Sequence, residues 1–316
     1  MTLRNDPAIG AGPETTVDAW DRYAALAGTG DDGGVPARRV RYRFLRRFVR
    51  QRLAVGALIF LLLVLVTCVL APLIAPYDPL AQDLSASLLP PSGSHWLGTD
   101  LLGRDVFSRL LYGGRVSLQA AGVATATALV IGVIPGLAAG YLGRRVDQVI
   151  MALTDALMSF PALVLAIGVI SVTGAGVTNA MLAVGVIVAP RVLRLVRSTT
   201  MHIKEETYVE AARSIGTSTP VIIFRHILPN VLPPLIVFTS LLAGATMLVE
   251  ASLSFIGLGV RPPDASWGTM LGDAFSRISQ APTLILFPGA AIALTVLALN
   301  LFGDGIRDSI GRESRR

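Results

Sequence analysis

Residues 205–234 have the sequence EETYVEAARSIGTSTPVIIFRHILPNVLPP. The segment is first polar and then amphipathic, and it lies between stretches that are apolar enough to cross a membrane. Residues 205–215 predict a helix with a mostly apolar stripe, because four side chains recur at helical spacing: Tyr208, Ala211, Ala212 and Ile215. Gly216 predicts the end of this helix, since helices often stop where the chain turns through a left-handed conformation.

A second helix is predicted directly after this glycine. Thr219 can cap it, Pro220 suits its first position, and the pattern continues as far as Ile227. The helix should stop where prolines remove backbone donors: Pro229, Pro233 and Pro234. Two interpretations of the resulting helix-turn-helix remain open. It is an amphipathic hairpin that links two membrane spans, or it is a docking surface for a soluble partner.

The composition places the chain in a membrane. Of the 316 residues, 53% are hydrophobic and 15% are charged, and the mean hydropathy is +0.63. An ordinary soluble domain is much less apolar. The single cysteine, Cys68, excludes an intramolecular disulfide and a cysteine-based metal site.

Six apolar segments predict an all-α, polytopic membrane protein with six transmembrane helices. Each is about 20 residues long, which is enough to cross a hydrocarbon core of about 30 Å. The predicted spans are about 53–74, 117–140, 150–171, 177–197, 232–256 and 284–303. A cleavable signal peptide is disfavoured because the first apolar run is long and begins more than fifty residues into the chain.

Small residues and prolines mark special positions in these spans. Gly132, Gly136 and Gly140 recur every four residues, which predicts a face that another helix can approach closely. Pro135 and Pro161 predict helix kinks, which membrane helices tolerate when neighbouring groups satisfy the freed carbonyls.

The regions outside the spans divide the chain further. Residues 1–37 predict a disordered cytoplasmic tail, and residues 311–316 predict a second cytoplasmic tail. Residues 38–52 form a basic juxtamembrane segment with eight arginines among aromatic side chains. Such a pattern can bind nucleic acid, but directly before a span it favours the anionic headgroups of the lipid bilayer. We therefore predict no nucleic-acid partner. The remainder, residues 53–310, is the predicted transmembrane domain, with the loop 204–230 between the fourth and fifth spans.

Basic residues predict the orientation in the membrane. The flank of the first span carries eight arginines. The two loops around 76–115 and 257–283 together carry five: Arg104, Arg109, Arg115, Arg261 and Arg277. By the positive-inside rule, both termini and the loop 204–230 are cytoplasmic.

Two carboxylates lie in otherwise apolar stretches, Asp155 and Glu250. An ionised side chain is costly in hydrocarbon, so each should face the helix bundle interior, a cavity or an aqueous boundary. Glu250 is the better candidate for lining a translocation path, although a structural hydrogen bond explains it equally well. One functional hypothesis is therefore an ion-gradient-driven secondary transporter or channel that uses these two residues. An inverted repeat of broken helices, typical of such transporters, is not evident.

The sequence offers no catalytic residues and no metal site. A phosphate-binding P-loop requires a lysine in G-x-x-x-x-G-K-[ST], and the only lysine, Lys204, lies in MHIKEE. The HExxH, GxSxG and CxxC patterns are also absent. One histidine and two aspartates in residues 95–105 match no metal-binding motif. We therefore predict that the chain is not an enzyme.

The loop 204–230 resembles the EAA loop of the membrane subunits of bacterial ABC importers. The resemblance consists of Glu210-Ala211-Ala212, then three residues and Gly216, and further on Leu228-Pro229. One departure is His226, where the family pattern favours isoleucine.

Three other segments resemble the C-type permeases of the dipeptide, oligopeptide and nickel branch of these importers. Residues 95–109 fit H-W-L-G-T-D-x-x-G-R-D-x-x-S-R, residues 255–274 are FIGLGVRPPDASWGTMLGDA, and residues 300–308 are NLFGDGIRD. The resemblance covers about residues 40–310.

The resemblance implies a permease subunit in the bacterial plasma (inner) membrane, which forms half of a path for dipeptides or oligopeptides. Its partners would be a second, homologous permease in a heterodimer, two cytosolic ATP-binding subunits and an extracytoplasmic solute-binding protein. ATP and Mg would bind the ATPase subunits and not this chain. Nothing in the residues separates dipeptides, oligopeptides, nickel and glutathione-like solutes as substrates.

The resemblance also implies roles for individual residues. Six of them would form the coupling surface that inserts into an ATPase cleft: Glu210, Ala211, Ala212, Gly216, Leu228 and Pro229. Seven others would lie in the outer loops that receive the solute-binding protein: His95, Gly98, Asp100, Gly103, Arg104, Asp105 and Trp267.

Overall fold

The computed structural model describes residues 45–174 and 176–310. The predicted tails 1–37 and 311–316, and most of the basic segment 38–52, lie outside these residues. From Arg46 onward the described chain forms one compact unit. Its regular secondary structure is helical, with one isolated bridge between Thr99 and Asp105.

The described helices are numbered in chain order. They are α1 Arg52–Val69, α2 Ala71–Ile74, α3 Val106–Leu142, α4 Arg144–Met158, α5 Ala162–Thr173, α6 Val177–Ile203, α7 Thr207–Ser214, α8 Thr219–Val221, α9 Leu228–Phe255, α10 Trp267–Phe275 and α11 Leu286–Ile310. A π-helical turn, Ile222–Ile227, joins α8 to α9. Short 3₁₀ turns occupy Leu84–Ala86 and Pro282–Ile285.

Five of the described helical segments are long and apolar enough to cross a membrane. They contain α1, α3, α6, the continuous run Thr219–Phe255 and the run Pro282–Ile310. The third predicted span, 150–171, differs from the prediction because it is divided between α4 and α5. Helix α4 ends at Met158 and Pro161 immediately precedes α5, so this proline separates two helices and does not kink one. Pro135, in contrast, lies inside α3 without ending it.

The glycine face of α3 packs against α6, as predicted. A β-carbon added to Gly132 would lie 2.6 Å from Cβ of Val192, and one added to Gly140 would lie 2.6 Å from Cβ of Thr200. On Gly136 it would lie 2.9 Å from the carbonyl oxygen of Leu193. The contacts advance in the same direction along both helices, so α3 and α6 run parallel. The missing side chains allow the two backbones to approach closely.

The helices define two ends of the bundle. The first, called here the loop end, carries the C-termini of α3 and α6 and the segment 204–227. The second, called here the cap end, carries the segments 75–105 and 257–285. At the loop end, α1 and α11 run antiparallel, and Nε2 of Gln51 donates to Oγ of Ser309 at 3.3 Å. At the cap end, Gly114 of α3 contacts Trp267 of α10.

Candidate coupling site

Helix α7, Thr207–Ser214, lies at the loop end. Val209 and Ala212 are buried against the π-helical turn and the neighbouring helices, and they fix one side of α7 to the bundle. The predicted apolar stripe is therefore only partly correct. Of its members only Ala212 is buried, because the tertiary contacts use the adjacent face.

The rest of that stripe faces away from the protein. Tyr208 and Ala211 are exposed, and Ile215, directly after the helix, is 82% exposed. Glu210 is exposed beside them. A short helix thus presents small and apolar side chains together with one carboxylate on its free side, which is unusual for a surface that meets only water.

Gly216 ends α7 as predicted. Its φ is +80°, in the left-handed region, and the backbone N–H of Thr217 donates to the carbonyl oxygen of Ala212 at 3.1 Å. A β-carbon at Gly216 would meet no atom within 4 Å. Glycine is favoured here by the backbone conformation and not by crowding.

The second helix starts one residue earlier than predicted. The N-cap position of α8 is Ser218, whose side chain makes no capping hydrogen bond, and Thr219 is the first helical residue. Pro220 lies in the first turn as expected.

The prediction that three prolines end this helix is wrong. The chain remains helical from Thr219 to Phe255, with Pro229 in the first turn of α9 and Pro233 and Pro234 inside it. The π-helical turn explains the continuity, because the backbone N–H of Leu228 donates to the carbonyl oxygen of Ile223, five residues earlier. The wider turn changes the bonding just before Pro229, where a regular helix would be obstructed.

The two predicted coupling residues in the second half of the loop, Leu228 and Pro229, differ in their exposure. Leu228 is half-buried and packs against the main core, whereas Pro229 is exposed. Asn230 joins this region to α7, since its Nδ2 donates to the hydroxyl of Tyr208 at 3.2 Å and to the carbonyl oxygen of His226 at 2.7 Å. The two halves of the loop are therefore connected by side-chain contacts as well as by the backbone.

Two cationic side chains connect the loop to the C-terminus of α3. Nζ of Lys204 donates to the carbonyl oxygen of Gly140 at 3.0 Å. Cζ of Arg213 lies 5.8 Å from the centre of the Tyr141 ring, within range of a cation–π contact. A displacement of α7 would therefore act on α3 as well as on α9.

Ion pairs join α4 to α6 at the same end. Arg197 donates to both carboxylate oxygens of Asp147, with Nη2 lying 2.6 Å from Oδ2. These hydrogen bonds lower the pKa of the Asp147 carboxyl, against the opposing effect of desolvation, and the charge of Lys204 lowers it further. Nη2 of Arg194 lies 2.6 Å from Oδ1 of Asp155 in a second, exposed pair.

The two carboxylates considered for a translocation path have different surroundings. Asp155 is exposed and paired with Arg194. Glu250 is buried in α9, where its Oε1 accepts a hydrogen bond of 2.7 Å from Oγ of Ser254. The other carboxylate oxygen, Oε2, is buried without a hydrogen-bond partner in the part of the chain that the structure describes. The structure thus does not combine Asp155 and Glu250 into one site.

At the cap end, predicted partner-facing residues form a hydrogen-bonded network. Asp105 caps α3 by accepting from the backbone N–H and hydroxyl of Ser108, both at 2.8 Å, and its other oxygen lies 3.0 Å from Nδ1 of His95. Asp100 accepts from Nε of Arg104 at 2.7 Å. These contacts hold the loop against the N-terminus of α3.

Several of these predicted residues are buried, so they support the cap and do not present a free surface. Arg104, Asp105 and Trp267 are buried. Nε1 of Trp267 donates to the carbonyl oxygen of Leu110 at 2.8 Å. Gly98 and Gly103 are also buried, and both have positive φ, +79° and +71°. Among the described residues no group of three or more His, Cys, Asp or Glu side chains could hold a metal ion.

Comparison with known families identifies the class of protein. The model of the binding-protein-dependent transport system inner membrane component matches residues 128–316, which is more than half of the chain. This chain belongs to that permease family. The N-terminal TM domain of oligopeptide transport permease C also matches, over residues 41–91 of this permease.

Curated relatives support the same assignment. The permease is 44% identical over 268 residues to the glutathione transport system permease protein GsiD of Pectobacterium atrosepticum, covering 84% of this chain and 89% of the relative. It is 42% identical over 292 residues to GsiD of a strain of Escherichia coli, covering 92% and 96% of the two chains. The resemblance to peptide-importer permeases is thereby confirmed, and the family consists of permease subunits and not of enzymes.

Solved structures show the same fold at low sequence identity. A chain of the MetNI methionine ABC transporter in an inward-facing conformation matches with a TM-score of 0.53 and 20% identity. The match covers 64% of this permease and 97% of that chain. A second crystal form of the same transporter gives a TM-score of 0.52.

Proposed function

We propose that this permease forms half of a translocation path for small peptides in an ATP-driven importer. A second, homologous permease would supply the other half, and two cytosolic ATP-binding subunits, carrying ATP and Mg, would supply the energy. A solute-binding protein would deliver the peptide at the cap end. The membership of the permease family supports this assembly, and the relatives named as glutathione permeases favour peptide-like solutes, including glutathione.

The observation that carries the proposal is the exposed side of α7. Val209 and Ala212 hold the helix to the bundle, while Ala211 and Ile215 face outward with Glu210 beside them. A small residue in the middle of this side allows another protein to approach closely, and the flanking apolar and charged side chains give it contacts. We assign this surface to the ATP-binding subunit.

The contacts of α7 support a role in transmission. Arg213 lies over the Tyr141 ring at the end of α3, and Tyr208 is hydrogen-bonded to Asn230 of α9. Both α3 and the run Thr219–Phe255 extend from the loop end to the cap end. A movement imposed on α7 would therefore be passed to the opposite side of the membrane by rigid helices.

The orientation follows from this assignment. The loop end would face the cytoplasm, in agreement with the concentration of arginine at the start of α1. Both termini would then be cytoplasmic, and the cap end would face the extracytoplasmic solute-binding protein.

The test is purification of the tagged permease in mild detergent after co-expression with the other subunits. The wild type is expected to retain the second permease and the ATP-binding subunits. Glu210→Lys is expected to lose the ATP-binding subunits and keep the second permease. Glu205→Lys makes the same charge change just before α7 and serves as the matched control.

Transport in liposomes gives the decisive result. ATP-dependent peptide uptake that is lost in Glu210→Lys and kept in Glu205→Lys supports the proposal. Uptake that needs no ATP, by the permease purified alone, contradicts it and favours the gradient-driven alternative.

A further inference from the structure

A small cavity lies within the cap end. It has a volume of about 290 Å³ and is enclosed between the segment 88–109 and the segment 270–284. Its walls combine apolar side chains, including Leu88, Met270 and Leu284, with five charged ones. The charged side chains are Asp100, Arg104, Arg109, Asp273 and Arg277.

Two of the three guanidinium groups are already paired. Nε of Arg104 lies 2.7 Å from Oδ2 of Asp100, and Nε of Arg109 lies 3.4 Å from the same oxygen. Nη1 of Arg109 also donates to the carbonyl oxygen of Pro79 at 3.3 Å. Asp100 is therefore fully engaged, and it neutralises only one of the two positive charges beside it.

The third guanidinium group is different. Nε of Arg277 is shielded from solvent, yet it has no hydrogen-bond partner within residues 45–174 and 176–310. Nη1 and Nη2 of the same guanidinium group make no hydrogen bond or ion pair in that part of the chain either, so they are available to an acceptor in the cavity. Arg277 lies two residues beyond the end of helix α10 and lines the cavity.

Asp273 does not satisfy this donor. No hydrogen bond or ion pair links the Asp273 carboxylate to Arg277 in the described chain. Asp273 keeps contact with solvent at the cavity rim, although the surrounding protein raises its pKa by desolvation, against the opposing charges of Arg109 and Arg104. Three guanidinium groups and two carboxylates leave the cavity with one net positive charge when all are ionised.

We propose that this cavity is a binding site for a carboxylate group, with Arg277 as its principal ligand. A guanidinium group presents donors in a planar fork that matches a carboxylate. The single net positive charge matches a monoanion better than a phosphate dianion. The apolar walls lower the local dielectric constant, which strengthens the ion pair.

Two sources can supply this carboxylate. One is a small free acid, and the other is an acidic side chain of a protein that docks on the cap end. The cavity accommodates the same group in both cases. The inference goes beyond the proposed importer function and does not depend on transport, since the site is defined by equilibrium binding.

The experiment is a calorimetric titration of the full-length permease in mild detergent with propionate at pH 7, and with propionamide as the uncharged analogue. The wild type is expected to bind propionate saturably and not propionamide. Arg277→Gln should weaken the affinity for propionate by about 10- to 100-fold, the value of one charge-assisted hydrogen bond. Arg277→Lys should give an intermediate affinity, because it keeps the charge but loses the fork.

Arg261→Gln is the matched control, since it removes an exposed arginine from the same end of the protein outside the cavity. It should leave the affinity unchanged. The elution volume and unfolding temperature of every variant are measured to check that it is folded. If Arg277→Gln is misfolded, Arg277→Lys takes its place in the comparison. Equal binding of propionate by the wild type and Arg277→Gln would overturn the proposal.

A second titration distinguishes the two sources. Saturable binding of propionate that depends on Arg277, while Arg277→Gln leaves the binding of the solute-binding protein unchanged, identifies a site for free acids. Binding of the solute-binding protein that depends on Arg277, and that propionate inhibits, identifies a docked side chain. If neither ligand depends on Arg277, the cavity is not a carboxylate site. These results are independent of ATP-driven uptake, so they leave the importer proposal to its own test.

Discussion

Lys204 and Gly140 are joined by a hydrogen bond of 3.0 Å from the ammonium group to the backbone carbonyl oxygen. The lysine begins the segment that leads into α7, and the glycine lies in the last turn of α3, where a close approach to Thr200 already requires a small residue. The only lysine of the chain thus holds the loop 204–230 to the end of a membrane-spanning helix.

Replacing Lys204 by methionine should loosen this connection. The half-buried ammonium group satisfies a carbonyl at a helix C-terminus, so we expect a loss of about 1 kcal/mol in the free energy of unfolding. Denaturant unfolding in detergent measures it. Lys204→Arg is the control and should retain most of the stability. A methionine variant as stable as the wild type would show that the hydrogen bond contributes nothing.

Substitutions of Gly216 test whether the left-handed turn after α7 requires a positive φ. Gly216→Val should destabilise the turn by about 1–2 kcal/mol, since a β-branched residue is disfavoured at positive φ. Gly216→Asn should be tolerated, because asparagine adopts this conformation more readily and no neighbouring atom obstructs its β-carbon. Co-purification of the ATP-binding subunits reports the local structure. Equal loss of these subunits in both variants would point to crowding by a partner and not to backbone conformation.

The α3–α6 contact predicts opposite effects for two glycines of one helix. Gly132→Ala should destabilise the permease by about 1–3 kcal/mol, because the new β-carbon meets Val192 and the backbone of Ala189. Gly122→Ala adds a β-carbon with no atom within 4 Å, and alanine is the better helix former. It should be neutral or stabilising. Unfolding temperatures in the same detergent decide the comparison, and equal temperatures would contradict it.

The Asp147–Arg197 pair predicts a dependence of stability on pH. The folded protein lowers the pKa of Asp147 below its ordinary value of 3.8. The contribution of this carboxylate is therefore present above pH 3.8 and is lost as the pH falls through the lower, folded-state pKa. Between pH 7 and about pH 3, the wild type should lose more stability than Asp147→Asn. Asp155→Asn, in the exposed pair, should follow the wild type.

Glu250 separates the two functional hypotheses. Glu250→Gln keeps the shape and an oxygen that can accept from Ser254, so ATP-driven uptake in liposomes should be retained. A gradient-driven transporter that used this carboxylate for ions would lose its activity. Loss of uptake with normal subunit assembly would show that transport requires the Glu250 carboxylate.

Local sequence patterns predicted the helix before Gly216 well, because its end depends on a conformation that one residue type favours. The same patterns could not show which face of α7 is buried. Val209 is buried through contacts with segments that are distant in the chain. The periodicity of the helix alone does not show that Val209 is buried while Tyr208 and Ile215 are exposed.

The prolines at 229, 233 and 234 failed as helix-stop signals for a related reason. The π-helical turn at Ile222–Ile227 changes the hydrogen bonding just before the first proline, and sequence patterns contain no comparable signal for such a turn. At the cap end, the sequence pattern of residues 95–109 indicated an important segment but not its structural role. Arg104 and Asp105 are buried inside the cap and do not form a free surface. Sequence patterns could not point to Arg277, the residue of the proposed carboxylate site, because its cavity is completed by residues far away in the chain.

The unbroken helix from Thr219 to Phe255 has a mechanical consequence. Its 37 residues make a lever of roughly 55 Å, longer than the hydrocarbon core is thick. A tilt of the whole run by about 10° about one end would displace the other end by roughly 10 Å. Under the proposed docking of the ATP-binding subunits on α7, small angular changes at the loop end would be amplified into larger displacements on the far side of the membrane.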